Sequence, residues 1–135
     1  MREIPINFFA ILSAAAAKVL IGTLWYSPGL FLKSWLELAG VTEDEMKARF
    51  GKAVAVDVIG SFLMAFVLVH AVRYAGATTA SQGIAVGFFN WLGFVAVVTI
   101  GIVTYERRPF RLFLINNGYL LISLLVMGAL LAVWG

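Results

Sequence analysis

Four long apolar runs organise the chain. Ile4–Tyr26, Ala53–Val72, Gly83–Tyr105 and Leu112–Trp134 carry few charges, and each has the roughly 20 residues that a helix needs to cross a hydrocarbon core. Strands of a transmembrane barrel alternate over segments of about ten residues, and these runs do not alternate. One connection is long (27–52) and two are short (73–82 and 106–111). Short connections make consecutive helices antiparallel neighbours. The pattern therefore predicts an all-α fold: one transmembrane domain over residues 1–135, built as a four-span helix bundle. The first run also has signal-peptide features, with Arg2 at its start and Ala14–Ala17 as small residues. Its apolar character continues past Lys18 to Trp25, which favours a retained span.

The long connection carries its own periodicity. Ser27-Pro28 reads as an N-cap followed by proline at the first helical position. Leu32, Trp35, Leu36 and Ala39 then fall on one face, Lys33, Ser34 and Glu37 on the other, and Gly40 follows. This predicts a short amphipathic helix lying in the membrane interface. Thr42-Glu43-Asp44-Glu45 is a second start, with Glu45 at the capping-box position. The helix it opens is expected to run through Lys47 and Arg49 into the second span, with Gly51 as a site for a kink.

Composition strengthens the membrane reading. Of 135 residues 62% are hydrophobic and only 13% charged, with a mean hydropathy of +0.97; that is too little polar surface to coat a soluble globule. There is no cysteine and one histidine, His70, so neither a thiolate nor a histidine-built metal centre is expected. No nucleophile–base set and no glycine-rich phosphate loop before a helix is present. An enzyme, a cofactor and a nucleic-acid partner are accordingly not expected.

Net charge is only +3, so placement matters more than the sum. Lys33, Lys47, Arg49 and Lys52 lie in the first connection and Arg107, Arg108 and Arg111 in the third, against Arg2 and Arg73 on the other side. The positive-inside bias places both basic loops in the cytoplasm and both termini outside. Trp25, Tyr26, Tyr105 and Trp134 fall at span ends, where amphipathic rings prefer the headgroup zone. The cluster Arg107, Arg108 and Arg111 is foremost a topology determinant, and it also offers contacts to anionic lipid headgroups.

Two charges remain inside the spans, Lys18 and Asp57. Each would cost about 2.5–3.5 kcal/mol at a helix centre on insertion scales, so each needs a partner or a task. Asn7, Ala10, Ala14, Lys18 and Gly22 share one small-residue stripe; Ala53, Asp57, Ser61 and Ala65 share another. Such stripes let helices approach closely, so the two faces are expected to meet. Counted at 1.5 Å per residue, Asp57 lies about 6 Å and Lys18 about 12–15 Å from the basic-loop side. Asn116, Asn117 and Thr99 fall at similar depth. Lys18, Asp57, Ser61, Thr99, Asn116 and Asn117 thus form an expected intramembrane polar cluster. Two roles are open to it. One is an ion pair with amide hydrogen bonds that sets helix register; the other is a pathway for a small solute, an ion or protons. The Gly83-xxx-Gly87 spacing, with Gly93 and Gly101, reads as helix packing within the chain or between copies, and self-association is expected.

Three stretches recur together in a known family: Leu24-Trp25-Tyr26-Ser27-Pro28 with Trp35 downstream, Trp91-Leu92-Gly93-Phe94, and Arg108-Pro109 leading into Leu112 through Tyr119 with Asn117-Gly118-Tyr119. In this order and spacing the chain resembles the bacterial membrane family known as domain of unknown function 1761, over essentially its whole length. The resemblance implies a four-span protein of the bacterial inner membrane and no assigned activity. It marks Trp25, Tyr26, Ser27, Pro28, Gly118 and Tyr119 as recurring landmarks.

Overall fold

A computed structural model describes residues 6–134, so Arg2 and the start of the first expected span lie outside the described residues. All regular structure among the described residues is helical: α1 (Phe8–Trp25), α2 (Leu32–Ala39), α3 (Glu43–Tyr74), α4 (Ala80–Asn90), a π-helical segment (Trp91–Ala96), α5 (Val97–Glu106) and α6 (Phe110–Trp134). Four continuous helices are long and apolar enough to span a membrane: α1, α3, α4 through α5, and α6. The bundle has a terminal end, where α1 begins and α6 finishes, and a loop end, where α1 meets α2 and α5 meets α6.

The helix ends have local causes. Asn7 caps α1, its side-chain oxygen accepting from the backbone N–H groups of Phe9 (3.1 Å) and Ala10 (3.3 Å). Thr42 caps α3 by accepting from Glu45 N–H at 3.1 Å. Its hydroxyl donates to the Glu45 carboxylate at 3.0 Å, so the acid meets the cap's side chain. From there α3 runs unbroken through Gly51, ten residues ahead of the apolar run expected to begin at Ala53. Thr79 and Gln82 form a full capping box that starts α4 at Ala80, three residues before the expected boundary. The expected boundaries are otherwise met within a few residues, with α6 starting at Phe110 in place of Leu112.

One expectation fails at the α1–α2 corner. Ser27 does not cap a helix, and Pro28 does not open one. The Ser27 hydroxyl donates to the Leu24 carbonyl at 2.7 Å, and its own carbonyl accepts from Leu30 (3.0 Å) and Leu32 (3.3 Å). Both groups are thereby used to finish α1 and close a turn, and α2 starts only at Leu32. Gly40 ends α2 in the left-handed region (φ 70°), as its lack of a Cβ permits.

Packing is centred on α6, which borders α1, α3 and α4. The tightest core lies in the terminal half, where Ala10, Ile11, Ala14, Ala65, Val69, Val72, Met127 and Leu131 are buried. Against α6, the closest approach is made by α4: a Cβ on Gly83 would run into the Gly128 carbonyl, and one on Gly87 into the Leu124 carbonyl. This is the small-residue packing expected of Gly83-xxx-Gly87. Gly93 and Gly101 make no such contact within the chain, since nothing lies within 4 Å of a Cβ built on either. Towards the loop end packing thins: residues 51–60 of α3 are all exposed, and α5 buries no residue. Exposed side chains such as Phe89, Phe94, Val67 and Leu20 cover the outside, which in a spanning bundle is the lipid-facing surface.

Candidate functional site

The site grows from Lys18, seven residues before the end of α1. An α-helical turn of 3.6 residues stacks Asp57 over Ser61 on α3, and Tyr119 of α6 closes the third side. The Lys18 ammonium has three N–H donors. It donates to Asp57 Oδ1 at 3.1 Å, Ser61 Oγ at 3.0 Å and Tyr119 Oη at 3.0 Å. The Tyr119 hydroxyl in turn donates to the Lys18 carbonyl at 3.3 Å, and the ammonium sits 5.1 Å from the Tyr119 ring centroid. Lys18 is only 4% exposed and Ser61 fully buried, whereas the Asp57 side chain is 45% exposed. A saturated ammonium is thus held inside the bundle, with a carboxylate at its rim.

Gly22 makes this possible. It lies one turn beyond Lys18 on the same face of α1, and a Cβ there would stand 2.8 Å from Tyr119 Oη. The hydroxyl reaches Lys18 through the space that glycine leaves. A second arrangement lies nearer the loop end. Trp25 Nε1 donates to the Ile115 carbonyl at 2.9 Å, and Tyr26 Oη donates to Asn116 Oδ1 at 2.7 Å. The Trp25 ring lies against Gly118, 3.1 Å from where a Cβ would be. Tyr26 meets both Tyr119 and Trp35 edge-to-face, which seats the amphipathic α2 against the bundle. Of the landmark residues, Trp25, Tyr26, Gly118 and Tyr119 therefore form one contact surface between α1 and α6.

The expected six-residue cluster is divided. Lys18, Asp57 and Ser61 meet as anticipated. Asn117 is buried but turned away: its Oδ1 accepts from Thr99 Oγ1 at 2.9 Å, its Nδ2 donates to the Phe113 carbonyl at 3.1 Å, and its carbonyl accepts from Trp91 Nε1 at 3.0 Å. Two residues along a helix are about 200° around its axis, so Tyr119 and Asn117 face opposite neighbours of α6. Asn117 and Thr99 join the third span, and Asn116 joins Tyr26. Tyr119 and Gly22 are the residues that counting charges missed; Tyr119 was visible as a landmark, and Gly22 as the small position one turn from Lys18.

Several other polar groups have local tasks. His70 Nδ1 lies 2.7 Å from the Phe66 carbonyl, and Asn90 Nδ2 donates to the Val86 carbonyl at 2.8 Å, each within its own helix. Arg73 donates from Nη2 to the Leu131 carbonyl at 3.0 Å; that carbonyl belongs to the last turn of α6, where a cation is favourable. Among the exposed arginines of the α5–α6 corner, Arg108 pairs with Glu106 at 3.1 Å. No group of three or more metal-ligating side chains occurs among the described residues.

Four apolar spans around an ion pair with a buried ammonium define a small multi-pass helical membrane protein. The chain belongs to the family described as Protein of unknown function (DUF1761), whose model matches residues 9–132. No curated protein and no solved structure matches it.

Proposed function

We propose that this chain is a non-enzymatic structural or accessory protein of the bacterial inner membrane, with both termini outside and the basic loops 27–52 and 106–111 in the cytoplasm. In this reading the Lys18 cluster sets the register of α1, α3 and α6 and carries no cargo. The supporting observation is the saturation of Lys18: each of its three donors already has a protein acceptor, so none is free to bind a solute. The bundle then acts through its outer surfaces, associating with copies of itself, with lipid or with a membrane partner. Arg107 and Arg111 suit anionic headgroups, since Arg108 is engaged by Glu106.

A second reading, a pathway for protons, an ion or a small solute, is favoured by one observation: the Asp57 carboxylate is half-exposed at the edge of the pair. It draws on Lys18 and Asp57, because Asn117 faces the third span. Reconstitution into liposomes with an internal pH dye separates the two. The structural reading expects proton leak equal to that of empty vesicles, for the wild type and for Asp57→Asn alike. Protein-dependent flux that Asp57→Asn abolishes would replace it with the pathway.

A further inference from the structure

The third span consists of three unlike pieces. Its α4 portion is fastened to α6 by the Gly83 and Gly87 contacts. Its α5 portion has no fully buried residue: Thr99 and Val103 are half-buried one turn apart, and Val97, Val98, Ile100 and Ile102 are exposed. With so narrow a protein-facing stripe and lipid around the rest, burial holds its register only weakly. Between them lies the π-helical segment Trp91–Ala96, where Val97 N–H bonds the Leu92 carbonyl five residues back.

What chooses the register is Asn117. Trp91, at the start of the π segment, donates to its carbonyl, and Thr99, just beyond, donates to its side chain. In an unbroken α-helix residues eight apart stand about 80° apart around the axis; one extra residue in the π turn brings that to about 20°. With the extra residue the two side chains lie on nearly one face, and both reach the same residue of α6. The Thr99 tie is also contested. Its hydroxyl has one proton and three acceptors in reach: Asn117 Oδ1 at 2.9 Å, and Val95 O at 2.6 Å and Ala96 O at 3.4 Å of its own helix. Releasing Asn117 would leave the Thr99 proton satisfied. The wide turn contains Gly93, around whose missing Cβ the space is open.

We propose that the π segment is a two-register joint. In one register Trp91 and Thr99 both hold Asn117. In the other the segment relaxes to α-helical turns, α5 rotates by about 100°, and Thr99 bonds Val95 alone. Asn117 is the positioning residue that selects between them. This joint is independent of the Lys18 cluster, which lies on the opposite side of α6.

The chain has no cysteine, so single cysteines placed at residues 98, 100, 102, 103 and 104 can be spin-labelled in vesicles and their accessibility to oxygen measured. In the observed register Val103, one turn beyond Thr99 and half-buried, gives the minimum. Thr99→Val removes the tie and shifts the population about 2- to 10-fold towards the other register, so accessibility rises at 103 and falls at 102. Thr99→Ser keeps the wild-type pattern. Deleting Gly93 removes the extra residue while preserving the facing of Thr99, so the deletion keeps the minimum at 103 and makes it insensitive to Thr99→Val. An unchanged pattern in Thr99→Val would overturn the joint, as would an equal response in the Gly93-deleted chain. If that deletion does not fold, the Thr99→Val and Thr99→Ser pair decides alone.

Discussion

Replacing Lys18 with methionine removes one ammonium and strands three acceptors. Asp57 loses its partner at 3.1 Å, and the buried Ser61 and Tyr119 oxygens each lose a donor at 3.0 Å. Breaking a buried ion pair from one side costs about 3–5 kcal/mol because the surviving charge is left uncompensated. Here the surviving carboxylate is half-exposed, which puts the expected loss near the lower limit, about 3 kcal/mol. Asp57→Leu strands the buried ammonium instead and should cost at least as much. Lys18→Met with Asp57→Leu leaves no charge behind but still removes the donor to Ser61 and Tyr119, so its expected loss is about 1–3 kcal/mol. The coupling between the two sites is then several kcal/mol, well beyond the roughly 0.5 kcal/mol scatter of independent mutations. Unfolding titrations in mixed micelles, followed by tryptophan fluorescence, give all four corners of the cycle. Additive losses would refute the claim that Lys18 and Asp57 act as one neutral unit.

Other consequences follow from particular contacts. Gly87→Leu drives a side chain into the α6 backbone and should lower stability by about 1–3 kcal/mol or more; Gly93→Leu, facing open space, should stay within about 0.5 kcal/mol of its helix-propensity change. The same titrations check both. Tyr119→Phe removes the third Lys18 acceptor and the donor to the Lys18 carbonyl, with an expected loss of about 1–3 kcal/mol, and it should exceed the loss for the exposed Tyr105→Phe. A cysteine at Lys47 should react with an impermeant maleimide only when the membrane is opened; labelling from the periplasmic side of intact cells would reverse the topology.

Much of this arrangement is legible in the chain because a bilayer makes polarity scarce. Where apolar runs of about 20 residues are the rule, Lys18 and Asp57 stand out, and helical spacing from Asp57 adds Ser61. Depth can be counted along a helix, and it placed Asn117 near the pair. Azimuth depends on how α6 is turned between its neighbours, and that turned Asn117 to the third span and Tyr119 to Lys18. Tyrosine is harder to read than lysine, since its ring suits apolar surroundings and its hydroxyl declares itself only through a partner. The α1–α2 corner shows the same limit: Ser27-Pro28 has the composition of a helix start, but the carbonyl of Leu24 claimed the serine hydroxyl first. The π segment leaves no mark in a uniformly apolar run, because inserting one residue among Leu, Phe, Val and Ala disturbs no polar periodicity.

The central claim is that Lys18 is dry and fully engaged, and amine reactivity tests it most directly. Intact vesicles containing the protein can be treated with a membrane-permeant anhydride and each lysine followed by mass spectrometry. The account expects rapid acetylation of the exposed Lys33, Lys47 and Lys52 and none at Lys18 until the protein is unfolded. Acetylation of Lys18 in the folded protein at a rate like theirs would mean an open, wet site and would contradict it.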